Sequence, residues 1–155
     1  MDKHKKDKRY ARLYAQLREL VLKPGSSTAR MATIIAVLHH KMDSFFWTGY
    51  YVIEQGELTV FMYQGPVACQ TLEKGKGVCW AAMNKKETVI VEDVHLFPGH
   101  IACDSRSLSE IVVPLKNASK EIIGVLDIDS KEKAAFDEVD AKWLEKILEL
   151  IHITY

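Results

Sequence analysis

The chain has no net charge: 21 lysines and arginines balance 21 aspartates and glutamates over 155 residues. A balanced chain sets up no field to gather nucleic acid or an anionic membrane, so neither is expected as a partner. No apolar run is long enough to span a bilayer. Met1 is followed by charges and not by the apolar core of a secretory leader. The protein is therefore expected in the cytoplasm, where thiols are held reduced and structural disulfides are rare. Cysteine is scarce, three residues with no tight pairing. That odd count argues against a disulfide framework and leaves a transient, catalytic disulfide as the alternative. Cys-x-x-Cys and His-x-x-x-His pairs are also missing, so no metal is expected. His95, His100 and Cys103 lie close enough in sequence to ligate one, but no fourth ligand is indicated. Without internal repeat, low-complexity tract or linker, residues 1–155 read as one domain, long enough to bury a core without staples.

What is present is an ordinary globular balance, 48% apolar and 27% charged, which excludes disorder. Tyr10, Leu13, Tyr14, Leu17, Leu20 and Val21 recur at helical spacing and predict a first helix over about 8–22, stopped by Lys23-Pro24-Gly25. The charged run ahead of it, Lys3 to Arg9, reads as a solvated helix face. Ser26, Ser27 and Thr28 offer caps for a second helix running to about Lys41. The aromatic and β-branched run Phe45–Ile53, the turn Gln55-Gly56 and the run Glu57–Tyr63 predict an antiparallel hairpin. Alternation from Phe45 puts Trp47, Gly49 and Tyr51 on its face and Phe46 and Tyr50 on the other. A strand-like piece from about Val67 to Leu72, a short helix over about 78–84 and a strand at Thr88–Val91 follow. The loop from Glu92 to Leu108 is long enough to suggest function. Two strands, about Glu110–Leu115 and Ile122–Ile128, and an amphipathic helix opening at Phe136 and Asp137 complete the chain. Helices at both ends of a mostly antiparallel sheet make an α+β domain. The terminal helices are expected on one sheet face, where their exposed stripes also offer a homodimer contact.

Chemistry concentrates in the run Phe97-Pro98-Gly99-His100-Ile101-Ala102-Cys103-Asp104-Ser105. A cysteine in polar, loop-like surroundings can be deprotonated and reached, which makes Cys103 the best nucleophile candidate; an incidental loop cysteine is the competing reading. Cys69 and Cys79 flank Gly75-Lys76-Gly77. Cys79 opens a short helix, where unpaired N–H groups favour a thiolate, but its neighbours Val78, Trp80 and Ala81 fit a buried structural cysteine equally well. The glycines lack the rest of a phosphate-binding motif and read as a turn. Asp127 and Asp129 end an apolar strand two residues apart, so both carboxylates emerge on one face, and Glu110 opens the neighbouring strand. They form either a polar clamp that shares a proton or a solvated strand end. Trp47 and Tyr51 are sheet core by default, or the wall of a pocket for a small apolar or onium group.

Taken in order, Trp47-Thr48-Gly49-Tyr50-Tyr51, Tyr63 to Cys69, Gly75 to Cys79, Asp93-Val94-His95, Phe97 to Ser105, Ser109 to Val112 and Gly124 to Ser130 resemble the free methionine-(R)-sulfoxide reductases, which are single GAF domains. The resemblance covers nearly all of the chain beyond the first helix. It implies reduction of free L-methionine (R)-sulfoxide to methionine, with no bound cofactor and with thioredoxin, itself reduced by NADPH through thioredoxin reductase, as external reductant. By position it implies Cys103 as nucleophile, Cys69 as the resolving thiol and Cys79 as an auxiliary thiol. It further implies Trp47 and Tyr51 around the methyl and thioether, and Glu110, Asp127 and Asp129 on the amino group and the sulfoxide oxygen. Trp80 stands where the family usually has a small residue, a departure that bears on packing near Cys79. The competing functions are a GAF module that binds a small ligand as a sensor, which needs no cysteines in these loops, and a thiol peroxide sensor.

Overall fold

Helix α1 (Lys3–Val21) starts five residues earlier than periodicity suggests, because Asp2 caps it by accepting a hydrogen bond from the Lys5 N–H. A computed structural model describes residues 1–100 and 103–153 of the chain; Ile101 and Ala102 of the loop motif lie outside the described residues. Ser26 caps α2 (Ser27–Lys41) in the same way. Strands β1 (Trp47–Glu54) and β2 (Glu57–Gln64) form the expected hairpin, with Gln55 and Gly56 both at positive φ in the turn. The predicted strand over 67–72 shrinks to β3 (Thr71–Leu72), and 67–70 carries no regular structure. Then come α3 (Gly77–Lys85), β4 (Val89–Val91), a 3-10 turn at Val94–Leu96, β5 (Ser109–Lys116) and β6 (Ile122–Ser130). The last helix, α4 (Glu138–Glu149), opens on a capping box in which Asp137 and Asp140 each accept the other's backbone N–H or that of its turn.

The six strands make one sheet in the order β3-β2-β1-β6-β5-β4, antiparallel throughout. As expected for the α+β reading, α1 and α4 share one face, and α2 joins them. Tyr10, Leu17, Ile34, Leu38, Leu144 and Ile147 of those helices bury against Tyr50, Leu126, Ile128 and Ile111 of the sheet. Each such side chain contributes roughly 1.5–3 kcal/mol relative to exposure. Period-two alternation leaves Trp47, Tyr51, Val112 and Val125 on the other face, where α3 covers them with Val78, Cys79 and Trp80.

Two readings of side-chain placement are corrected. Lys6, inside the run read as solvated, is buried: its Nζ donates to Asp140 at 2.7 Å and to Asp137 at 3.2 Å. Phe45 and Phe46 have exchanged faces relative to simple alternation. The strand begins only at Trp47, after a turn in which the Phe45 N–H donates to the Met42 C=O, so pleat geometry does not extend back to them. Phe45 therefore packs on Phe136 beneath the helices, and Phe46 faces the α3 side.

Candidate active site

Register builds the floor of a site from three adjacent strands. Trp47 lies opposite Asp129 and Asp129 opposite Glu110; one step along, Gly49 lies opposite Asp127 and Asp127 opposite Val112. Trp47, Asp127, Asp129 and Glu110 are thus gathered on one face although Glu110 is 63 positions from Trp47. Gly49 is required there: a Cβ at that position would collide with Tyr63 and with the Trp47 indole. Gly65, at φ +117°, turns the chain after β2 back across Trp47, and a Cβ there would meet the Phe46 carbonyl. The returning segment is held at both ends, since Trp47 Nε1 donates to the Pro66 C=O at 3.0 Å and the Tyr51 hydroxyl donates to the Cys69 C=O at 3.3 Å. The Trp47 ring stacks on Tyr51 and on Tyr63, with centroids 5.7 and 5.2 Å apart.

These elements enclose a cavity of about 50 Å³. Trp47, Tyr51, Cys79, Glu110, Asp127 and Asp129 line it, with Cys103 at its mouth. Cys69 is joined to Cys103 by a disulfide, with Cα atoms 5.5 Å apart. All eight site residues proposed from the sequence are therefore brought together. The sequence reading missed Phe46, whose face it misassigned, and Lys76 and Ser107, which also line the cavity; nothing in their local pattern sets them apart from turn residues.

Three carboxyl groups crowded together, Glu110 and Asp127 buried and Asp129 half-buried, cannot all ionise. Burial, reinforced by the charges of Asp127 and Asp129, pushes Glu110 far above the usual carboxylate range. Burial and then Asp127 do the same to Asp129. Asp127 is raised by burial too, while hydrogen bonds from Glu110 and Cys79 oppose that rise. Its Oδ1 is buried with no hydrogen-bond partner among the described residues. A buried carboxyl oxygen left open is a place for a hydrogen-bond donor. Burial and these same negative charges push the Cys79 thiol up, so the helix start does not make it a thiolate. Trp80, the departure noted above, is buried and donates from Nε1 to the Leu72 C=O at 3.2 Å, fastening α3 to β3.

At the mouth, burial and the charge of His95 lower the His100 pKa, so this ring stands neutral at pH 7. Asp104 is held down at about 2 by the hydrogen bonds of Arg106. His95, His100 and Cys103 are not assembled as a cation site among the described residues. The groups close enough to share a cation are Cys79, Glu110 and Asp127, whose ligand atoms lie within 4.8 Å of one another. The arrangement offers three carboxyl groups of raised pKa, an aromatic wall and a disulfide-bonded cysteine pair around one small space.

Comparison with known proteins decides what such a site belongs to. A family model for the GAF domain matches residues 29–154. The chain is 38% identical to the free methionine-R-sulfoxide reductase of Escherichia coli over 90% of this chain and 84% of that one. It is 48% identical to the yeast (Saccharomyces cerevisiae) enzyme of the same name over 68% and 61%. The structure of the Neisseria meningitidis free methionine-R-sulfoxide reductase in complex with its substrate superposes with a TM-score of 0.85 at 40% identity, covering 92% of this chain and 85% of that one. The chain belongs to the free methionine-R-sulfoxide reductases. As a member of that family it is an oxidoreductase, and it carries the family's GAF fold with a Cys69–Cys103 disulfide at the cavity mouth. Among the described residues no helix is long and apolar enough to cross a membrane.

Proposed function

We propose that this reductase converts free L-methionine (R)-sulfoxide to L-methionine, with Cys103 as nucleophile and Cys69 as resolving thiol. One observation carries the reading: the Cys69–Cys103 disulfide closes a cavity whose floor holds an unpartnered Asp127 oxygen beside the raised carboxyls of Glu110 and Asp129. The substrate ammonium takes the open Asp127 oxygen. Trp47 and Tyr51 contact the methyl and thioether part. A sulfoxide sulfur is a poor electrophile until its oxygen is protonated, and Glu110 and Asp129 hold protons for that purpose. The Cys103 thiolate attacks the sulfur of the protonated sulfoxide, the OH passes to Cys103 Sγ as the substrate S–O bond breaks, and methionine leaves Cys103 as a sulfenic acid. The Cys69 thiol then attacks Cys103 Sγ, releases water and forms the disulfide seen here. A dithiol protein of the thioredoxin type, drawing on NADPH through its reductase, restores both thiols by exchange. That cycle suits a reducing compartment such as the cytoplasm. Selection for the free amino acid follows from the same geometry, because an amide nitrogen has no charge to offer Asp127.

The test is thioredoxin-coupled NADPH oxidation with separated (R) and (S) epimers of free methionine sulfoxide. Wild type is expected to turn over the R epimer alone, and Cys103→Ser to be inactive. Cys69→Ser is expected to release one methionine per site and then stall. Turnover by Cys103→Ser, or equal turnover of a peptide-bound sulfoxide, refutes the reading.

A further inference from the structure

In the disulfide form Cys103 is placed by its covalent tie to Cys69. Attack on a sulfoxide needs the reduced form, in which that tie is gone. Cys103 then belongs to the long connection between β4 and β5, whose regular structure among the described residues is the single 3-10 turn Val94–Leu96. A second tether begins at the next residue. Asp104 Oδ1 accepts from the Arg106 backbone N–H at 2.9 Å and from Arg106 Nε at 3.0 Å, and Oδ2 accepts from Nη2 at 2.7 Å. The guanidinium held by this fork lies over the Phe46 ring, 4.8 Å from its centroid. Phe46 is fixed in turn, its N–H donating to the Asp129 C=O at 2.8 Å while its ring lines the cavity. The backbone beyond is pinned where the Leu108 N–H donates to the Ser130 C=O at 2.7 Å. A chain of contacts thus runs from the residue beside the nucleophile to the strand that carries the carboxyl groups.

We infer that Asp104, Arg106 and Phe46 form a latch that positions Cys103 over the cavity in the reduced enzyme. The inference rests on the reading of Cys103 as nucleophile. The three are positioning residues and touch no reacting atom. Geometry, not charge, is the role: the Arg106 charge is matched by Asp104, and both donor arms of the fork are occupied. An exposed ion pair of this kind adds little to global stability. Lysine cannot replace the planar fork, and it stacks less well on a ring. Misplacement of a reacting group by about 1 Å slows a reaction by about 100-fold.

The decisive measurement is methionine release in a single turnover of fully reduced protein, with free methionine (R)-sulfoxide and no recycling reductant. Arg106→Gln, Arg106→Lys and Asp104→Asn are each expected to slow release by about 10–100-fold. Substrate affinity, the final amplitude of one methionine per site and thermal stability stay near wild type. The double variant slows release no further than either single one, because the pair acts as a unit. In a Cys69→Ser background the pH midpoint of Cys103 alkylation is the same with and without Arg106→Gln. Wild-type release rates in the single variants overturn the latch, as does an alkylation midpoint that moves enough to explain the loss. Methionine release by a parallel Cys103→Ser sample refutes the nucleophile assignment instead, so the two failures are distinguishable.

Discussion

Single residues at the floor of the cavity are set to conflicting tasks. Glu110 is buried among other carboxyl groups, which is unfavourable for the folded chain and suits the proton donation proposed for it. Its folded pKa lies above its ordinary value of 4.5. The folded state therefore binds more protons than the unfolded one as pH rises above that value. Stability contributed by this group is full below pH of about 4.5 and is lost as pH climbs toward the raised value. Activity follows the same proton: turnover is expected to fall on the alkaline side as Glu110 and Asp129 ionise. Glu110→Gln cannot pass a proton and is expected to lower kcat by about 100-fold or more. The same variant should gain stability near neutral pH, on the order of 1 kcal/mol, read as a rise in Tm of roughly 2–4 °C. A variant that keeps its rate, or that loses stability at pH 7, contradicts this account. Cys79 follows a similar logic. Its burial against Asp127 explains why it stays a thiol while the exposed Cys103 pairs with Cys69.

Among elements, the β1–β2 hairpin and the turn after it do most to shape the pocket. Its strands were legible from aromatic and β-branched runs with a Gln-Gly turn between them, and its site face was legible from Trp47 onward. The two residues before it were not, because a turn interrupts the pleat and alternation counts only within a strand. Nor was the segment 67–70, whose valine and alanine resemble strand residues while Gly65 and two hydrogen bonds to aromatic side chains hold it over the cavity. Gly49 shows how tightly the hairpin is built. Gly49→Ala would drive a Cβ into Tyr63 and the Trp47 ring. The expected result is a loss of about 1–3 kcal/mol in denaturant unfolding, together with a raised KM for the sulfoxide as Trp47 shifts. An unchanged KM in a folded protein would show that Trp47 does not set the substrate's position.

At the scale of the whole molecule the sheet separates two jobs. One face carries α1, α2 and α4 and the larger core; the other carries α3 and the cavity. Asp140 locks the first layer, accepting from Lys6 at 2.7 Å, from the Tyr10 hydroxyl at 2.6 Å and from the Asp137 N–H. Asp140→Ala leaves Lys6 buried without its main partner, an expected loss of roughly 3–5 kcal/mol and a Tm lower by roughly 10 °C. Methionine release at temperatures where the variant stays folded is expected to match wild type, since the site lies across the sheet. The sequence by itself determined the α+β class and nearly every element and, through its resemblance, singled out the eight residues that the fold brings together. Those properties live in local periodicity, in turn chemistry and in short motifs. Tertiary structure decided how the three carboxyl groups share one buried corner, that Lys6 is buried and that Phe46 faces the cavity. Each of these depends on strand register and on burial between residues far apart in the chain, which no local pattern encodes.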